Sequence, residues 1–335
     1  MFGRNQVIIA STGVLISVGL WIGLRPVKAT LDSAKLVFFY GKSFNDQRNF
    51  PISKAVDILE QDEFDNGKPT VIYVHGYIEH MEMESVKVVC EAYLKRGDHN
   101  IIFVDWADLA DGNYLLDAVP NAVKLSNILA DAMLELINNG IAINKLHIVG
   151  HSLGGQIAGM MARKVKEKSS NTLKLRRITA LDPAFPPFYP GWVYKPLGKR
   201  DAVLVDVIHT DAWLYGAPVS TGTVDFWPNG GKTLQPGCPK RNYKMLTDND
   251  LCSHRRSWWF WAESVASVDT QKFPAIKCKS WDHFKDGKCD EDAPVAYMGI
   301  DCPLNVSGDY FLQTNGDEPY CKGSAGTKYA PKVKT

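Results

Sequence analysis

Leu146-His147-Ile148-Val149-Gly150-His151-Ser152-Leu153-Gly154-Gly155-Gln156 runs a short apolar stretch straight into a serine set between glycines. The apolar run reads as a strand and the residues from Gly155 to about Val165 as a helix. A G-x-S-x-G turn between the two holds its serine in a strained backbone conformation with the hydroxyl exposed. Side chains at Gly150 or Gly154 would crowd that turn, and small residues let the helix pack on the strand. The helix start also aims N–H groups and the positive end of its dipole at the place where a tetrahedral oxyanion would form. An ordinary serine in a glycine-rich turn is the bland alternative, and the strand before and helix after weigh against it.

Outward from the elbow the chain alternates. Ala34–Tyr40, Thr70–His75, Asn100–Trp106, Lys145–Val149, Arg177–Leu181 and Ala202–His209 read as strands, with helical spacing over Met83–Lys95 and Val119–Asn138. Near-continuous apolar strands separated by helices predict an α/β fold with a mostly parallel central sheet and helices on both faces. The stretch after Cys238 reads as loop-rich and cysteine-stapled, and Lys322–Thr335 as a frayed end. The run Trp258-Trp259-Phe260-Trp261 could dip into a lipid surface, but reads better as a helix packed on the core.

Bulk properties narrow the compartment and partners. With 335 residues, 45% of them hydrophobic, the chain can build one large core, expected over residues 30–335. Its 38 basic and 37 acidic residues leave a net charge of +1 and no field to attract nucleic acid or an anionic membrane. Arg4, the apolar run Val7–Leu24 and the small residue Ala29 predict a secretory signal over residues 1–29, an uncleaved signal anchor being the alternative. Of 7 cysteines, all but Cys90 follow residue 237, which suits disulfides in an oxidising compartment better than a metal site. Neighbour pairing would join Cys238 to Cys252, Cys278 to Cys289 and Cys302 to Cys321, with Cys90 left over, although other connectivities remain open. The sequon Asn305-Val306-Ser307 is a glycosylation candidate.

A serine hydroxyl needs a histidine to take its proton and an acid to orient that histidine. In α/β-hydrolases the order is serine, acid, histidine. Asp182, Asp201, Asp206, Asp211 and Asp225 are the candidate acids, and Asp182 stands out because Asp182-Pro183 ends the strand neighbouring the elbow in sequence. Among later histidines, His209 ends an apolar strand and reads as structural. His254 is favoured because it lies in the polar stretch Cys252-Ser253-His254-Arg255-Arg256, read as a loop. The strand ending in His75-Gly76-Tyr77 supplies a backbone N–H at Tyr77 to pair with that of Leu153 in an oxyanion hole, His75 bracing the loop.

Taken in order, Val74-His75-Gly76-Tyr77, Val104-Asp105-Trp106, Gly150-His151-Ser152-Leu153-Gly154-Gly155, Leu181-Asp182-Pro183-Ala184, Ile208-His209-Thr210-Asp211, Asp225-Phe226-Trp227-Pro228-Asn229-Gly230-Gly231, Gln235-Pro236-Gly237-Cys238 and Cys252-Ser253-His254-Arg255 resemble the pancreatic-lipase family. The resemblance spans Val71 to Gly323 and implies an α/β-hydrolase fold. It also implies a triad of Ser152, Asp182 and His254, with oxyanion donors Tyr77 and Leu153. The family's lid lies between the cysteines matching Cys238 and Cys252.

Departures from the family pattern choose among its activities. Only residues 239–251 separate those cysteines, too short and polar for a long amphipathic lid helix. The loop between Asp211 and Asp225 is shortened too, and no segment matching the family's C-terminal β-sandwich follows. These features resemble the phospholipase A1 branch, which implies a secreted enzyme releasing the sn-1 fatty acid of phospholipids at a lipid–water interface. A neutral-glyceride lipase, and a non-catalytic lipid-binding or storage protein on the same fold, are the rivals. No cofactor is expected, nor a metal, since Lys195-Pro196-Leu197-Gly198-Lys199-Arg200-Asp201 sets one carboxylate among three cations.

Overall fold

The computed structural model describes residues 29–241, 244–267, 272–290 and 292–331. The expected signal segment therefore lies outside the described residues up to position 28. In chain order the strands and helices are β1 (Lys35–Phe39), β2 (Gln47–Pro51), β3 (Thr70–Val74), α1 (Glu84–Arg96), β4 (Asn100–Asp105), α2 (Ala107–Ala110), α3 (Val119–Asn138), β5 (Leu146–His151), α4 (Leu153–Lys168), β6 (Arg177–Leu181), β7 (Leu204–Ile208), β8 (Val224–Pro228), α5 (Asp248–Ala266), β9 (Phe273–Lys277), α6 (Trp281–Lys285), β10 (Ala296–Met298) and β11 (Gly308–Leu312).

All strands join one sheet, ordered β10-β9-β11-β8-β7-β6-β5-β3-β4-β1-β2. The run from β11 to β4 is parallel, and antiparallel strands finish both edges. Both faces are covered, which is why β3, β5, β7 and β8 are buried along their whole length. Alternate side chains feed two cores. Ile72, Val74, Ile102, Ile148 and Ile178 pack with Leu129 and Met133 of α3 and Ile157 and Met161 of α4. Val71, Tyr73, Phe103, Val149 and Phe226 face the other way, toward Val89 and Tyr93 of α1 and Trp258 and Trp261 of α5. Helix α3 buries Ala122, Leu125, Leu129, Met133 and Leu136, the spacing of a single helical stripe. This is an α/β-hydrolase fold.

The chain steps from β3 to β4 on one side, then returns past β3 to β5, β6 and β7 on the other. The order therefore reverses between β3 and β5, and the carboxyl ends of those two strands flank the crevice that such a switch point opens.

The stretch after Cys238 is loop-rich and cysteine-stapled as expected, and it also forms the 19-residue α5 and three strands that extend the sheet. Two expectations are corrected. The end is not frayed as far as Ala330, whose N–H and carbonyl both bond the Gln313 side chain, 2.7 and 3.0 Å away. Cys238–Cys252 and Cys278–Cys289 are disulfides, but Cys302 and Cys321 are free. Strand β11 lies between these two in sequence and carries the chain along the sheet by about 3.3 Å per residue. Cys302 is left buried in the apolar core with Val306 and Tyr310, whereas the Cys321 thiol donates to the Lys272 carbonyl at 2.9 Å. Cys90 is free and buried, and Asn305 lies exposed in a turn.

One buried ion pair ties the parallel strands to the later segment. Arg177 on β6 grips Asp206 on β7 through two bonds of 2.8 and 2.9 Å and donates to the carbonyls of Gly299 and Ile300, both at 2.7 Å. Thr179 donates to the same carboxylate at 2.8 Å. Removing one partner of a buried pair strands the other charge. Asp206→Ala is expected to lower the unfolding free energy by about 3–5 kcal/mol in urea titration; a loss under about 1 kcal/mol, the range of exposed pairs, would show that Arg177 is not dependent on this carboxylate.

Candidate active site

The elbow takes the conformation its glycines allow. Ser152, between β5 and α4, has φ 52° and ψ −118°, a region that strains a residue with a side chain. A Cβ on Gly150 would strike the backbone of Gly154, and one on Gly154 would strike the carbonyl of Val74 at the end of β3. The turn is locked by backbone bonds: Ser152 N–H donates to the Leu181 carbonyl at 3.0 Å, and the Ser152 carbonyl accepts from Gly155 and Ala184, both at 3.1 Å. The first of these sets Ser152 beside Asp182, the residue after β6.

Asp182 has φ 45° and is wholly buried. Its Oδ1 accepts from the N–H groups of Thr210 and Asp211 at 2.8 and 3.1 Å, and its Oδ2 lies 2.6 Å from Nδ1 of His254. An ionised carboxylate only accepts, so Nδ1 carries the proton and Nε2 is left as an acceptor. Burial pulls the His254 pKa below its ordinary value, partly opposed by the bond to Asp182.

His254 sits in the second turn of α5, not in a loop as expected from the polar stretch around it. It shares a buried helix face with Trp258, Trp261 and Val265, at the i+4, i+7 and i+11 positions. That spacing was the overlooked helical signal. The helix also explains the aromatic run, since Trp258, Phe260 and Trp261 are core residues.

The five acids are sorted by their partners. Asp201 pairs with Arg163 and Asp206 with Arg177. Asp225 bonds Nε2 of His209 at 2.8 Å, and the His209 ring stacks on Trp227 at 3.8 Å. Asp211 is buried with no hydrogen-bond partner on either oxygen. Burial, reinforced by the neighbouring Asp182, pushes its pKa up to about 8.

The loop after β3 is braced as expected. His75 Nδ1 donates to the Gly76 carbonyl at 2.9 Å, while its Nε2 accepts from Trp106 N–H at 3.2 Å. The ring stacks on Trp106 at 5.3 Å. Gly76 approaches Ser152 so closely that its own Cβ would sit 3.0 Å from the serine Cβ. Tyr77 turns its hydroxyl to the Gly112 carbonyl, and Leu153 opens α4 fully buried. Two site neighbours escaped the sequence reading. Glu79 reaches His151 Nδ1 at 3.1 Å and Gly76 N–H at 2.6 Å, and the Tyr215 ring lies 5.5 Å from that of His254. Neither belongs to a short motif, and only the fold brings them in.

Beside the site, the Cys238–Cys252 disulfide closes the short loop onto α5. Asp250, in the first turn of α5, gathers Arg241 Nε at 2.7 Å, Leu246 N–H at 3.0 Å and the Tyr215 hydroxyl. The loop is thus clasped to the helix that carries His254. Met245 and Leu246 remain exposed on it.

A family model described as Lipase matches residues 24–320. The chain is 31% identical to Lipase member H of Danio rerio over 279 residues, 78% of this chain and 58% of that protein. It is equally identical, with the same coverage, to Phospholipase A1 member A of Rattus norvegicus. It is 32% identical over 261 residues, 72% of this chain and 53% of that protein, to Inactive pancreatic lipase-related protein 1 of Homo sapiens. The chain thus spans just over half the length of these curated relatives.

The raised Asp211 has a consequence for stability. A carboxyl that holds its proton to about pH 8 when folded but loses it near pH 4 when unfolded makes the folded state bind the extra proton between those values. Stability contributed by this group falls as pH rises through that window. Asp211→Asn removes the titration, so urea midpoints should shift in the variant's favour, relative to wild type, from pH 5 to pH 8. A difference independent of pH would contradict the assignment.

Proposed function

The chain belongs to the pancreatic-lipase family, and from that footing we propose that it is a secreted serine ester hydrolase of phospholipase A1 type, with residues 30–335 as one catalytic domain. The observation that carries the hydrolytic reading is the 2.6 Å bond between buried Asp182 and His254, next to a serine held in a strained elbow. A family that includes a relative named as inactive makes residue identity decisive, and this chain keeps serine, aspartate and histidine together.

In the proposed reaction Ser152 Oγ attacks the acyl carbonyl as His254 Nε2 takes its proton. Asp182 holds Nδ1–H and stabilises the imidazolium, while the N–H groups of Tyr77 and Leu153 receive the oxyanion. His254 then protonates the departing lysophospholipid. Water, deprotonated by the same ring, releases the fatty acid from Ser152.

Phospholipid is favoured over triglyceride by the short loop between Cys238 and Cys252. Among its described residues no helix precedes Asp248, so they do not form the long amphipathic lid helix that would offer a wide apolar face to an oil droplet. Both disulfides suit an oxidising compartment.

Ser152→Ala is expected to lower acyl release by about 10³-fold or more; equal release by variant and wild type would favour a lipid-binding or storage role. Phosphatidylcholine should be hydrolysed faster than triolein at matched interface, and a preference for triolein would turn the assignment to a neutral-glyceride lipase. Because the depressed His254 must be neutral to act as base, kcat/KM should hold down through about pH 6.5, the ordinary histidine value, and fall only below it. An acid limb centred above about pH 7 would contradict that role.

A further inference from the structure

Beneath the elbow lies a second acid–histidine pair that the proposed reaction does not use. Glu79 and His151 are both buried, and His151 Nδ1 is 3.1 Å from each Glu79 oxygen. Nε2 of His151 has no hydrogen-bond partner, so Glu79 is the polar group that sets this ring. The ring in turn packs on His254, with centroids 4.7 Å apart. Burial alone would raise the Glu79 carboxyl, but the His151 ring, the His75 ring and the Gly76 N–H together hold it down to about 2.

Glu79 also acts on the loop after β3. Its Oε2 accepts from Gly76 N–H at 2.6 Å, while the Gly76 carbonyl accepts from His75 at 2.9 Å. That carbonyl and the Tyr77 N–H belong to one planar peptide and point in opposite directions. Fixing Gly76 at both its N–H and its carbonyl therefore fixes the direction of the Tyr77 N–H.

Resting on the reading of Ser152, His254 and Tyr77 given above, we propose that Glu79 and His151 are a positioning pair for the reaction. Glu79 orients the peptide that presents the Tyr77 N–H, and His151 supplies the surface that holds the His254 ring. Neither touches the reacting atoms. The two halves of the site, in the loop after β3 and on α5, are set by one carboxylate. Donors and bases displaced by about 1 Å lose on the order of 100-fold in rate.

The test uses the full chain and a soluble short-chain phosphatidylcholine, with rates expressed per active serine titrated by a fluorophosphonate. Glu79→Ala is expected to lower kcat about 100-fold with KM within about threefold, since positioning acts on the transition state. Glu79→Gln, which can still accept from Gly76 N–H, should recover about tenfold of that loss. His151→Asn, which keeps a donor for Glu79 but removes the ring against His254, should lose about tenfold in kcat. Wild-type kcat in Glu79→Gln and His151→Asn would overturn the pair as positioning residues whether or not Glu79→Ala folds, as would losses confined to the number of titratable serines. Absence of hydrolysis by the wild type would instead overturn the ester-hydrolase reading.

Discussion

Everything at the site depends on how closely α4 is allowed to approach the end of β3. Gly154 lies so near the Val74 carbonyl that no side chain fits between them. That approach forces the chain to reverse within the single residue Ser152, at φ 52°. The strain is held by the bonds from Ser152 to Leu181, Gly155 and Ala184, which are in turn fixed by the register of β5 and β6. A rigid parallel sheet buried on both faces can sustain such a residue; a flexible loop would relax it.

The same switch point gathers the remaining groups. The loop after β3, the elbow after β5 and Asp182 after β6 all lie at carboxyl ends of adjacent or near-adjacent strands, and α5 brings His254 across them. Three buried acid–histidine pairs result: Asp182 with His254, Asp225 with His209, and Glu79 with His151. Their chemistry is alike and their placement is not. His209 is stacked flat on Trp227, whereas His254 packs at a tilt against the rings of His151 and Tyr215. Neighbouring carboxyls show the same division, since Asp182 collects two backbone N–H groups while Asp211, one strand on, has none and is driven toward its neutral form.

The clasp at Asp250 ties this arrangement to the protein's edge. One carboxylate holds Arg241 and Leu246 of the short loop and the Tyr215 hydroxyl, four residues before His254 on the same helix. Loop position and base position are therefore read off one element, which a long independent lid would not require.

Read by itself, the sequence determined the elbow, the parallel alternation from β3 to β7 and the family pattern, because each is local: glycine clearance, apolar runs and fixed spacing act within a few residues. It also ranked Asp182 and His254 above their rivals. It read the aromatic run from Trp258 as a core-packed helix but took the polar stretch around His254 for a loop, since the apolar members of the buried stripe on α5 come only at Trp258 and beyond. It joined Cys302 to Cys321 because sequence distance ignores the strand between them. Which acid meets which histidine, and that Glu79 reaches from the β3 loop to both Gly76 and His151, was decided only by the tertiary structure. Those contacts join residues as many as 72 positions apart, and no local preference encodes a partner that only sheet order brings within reach.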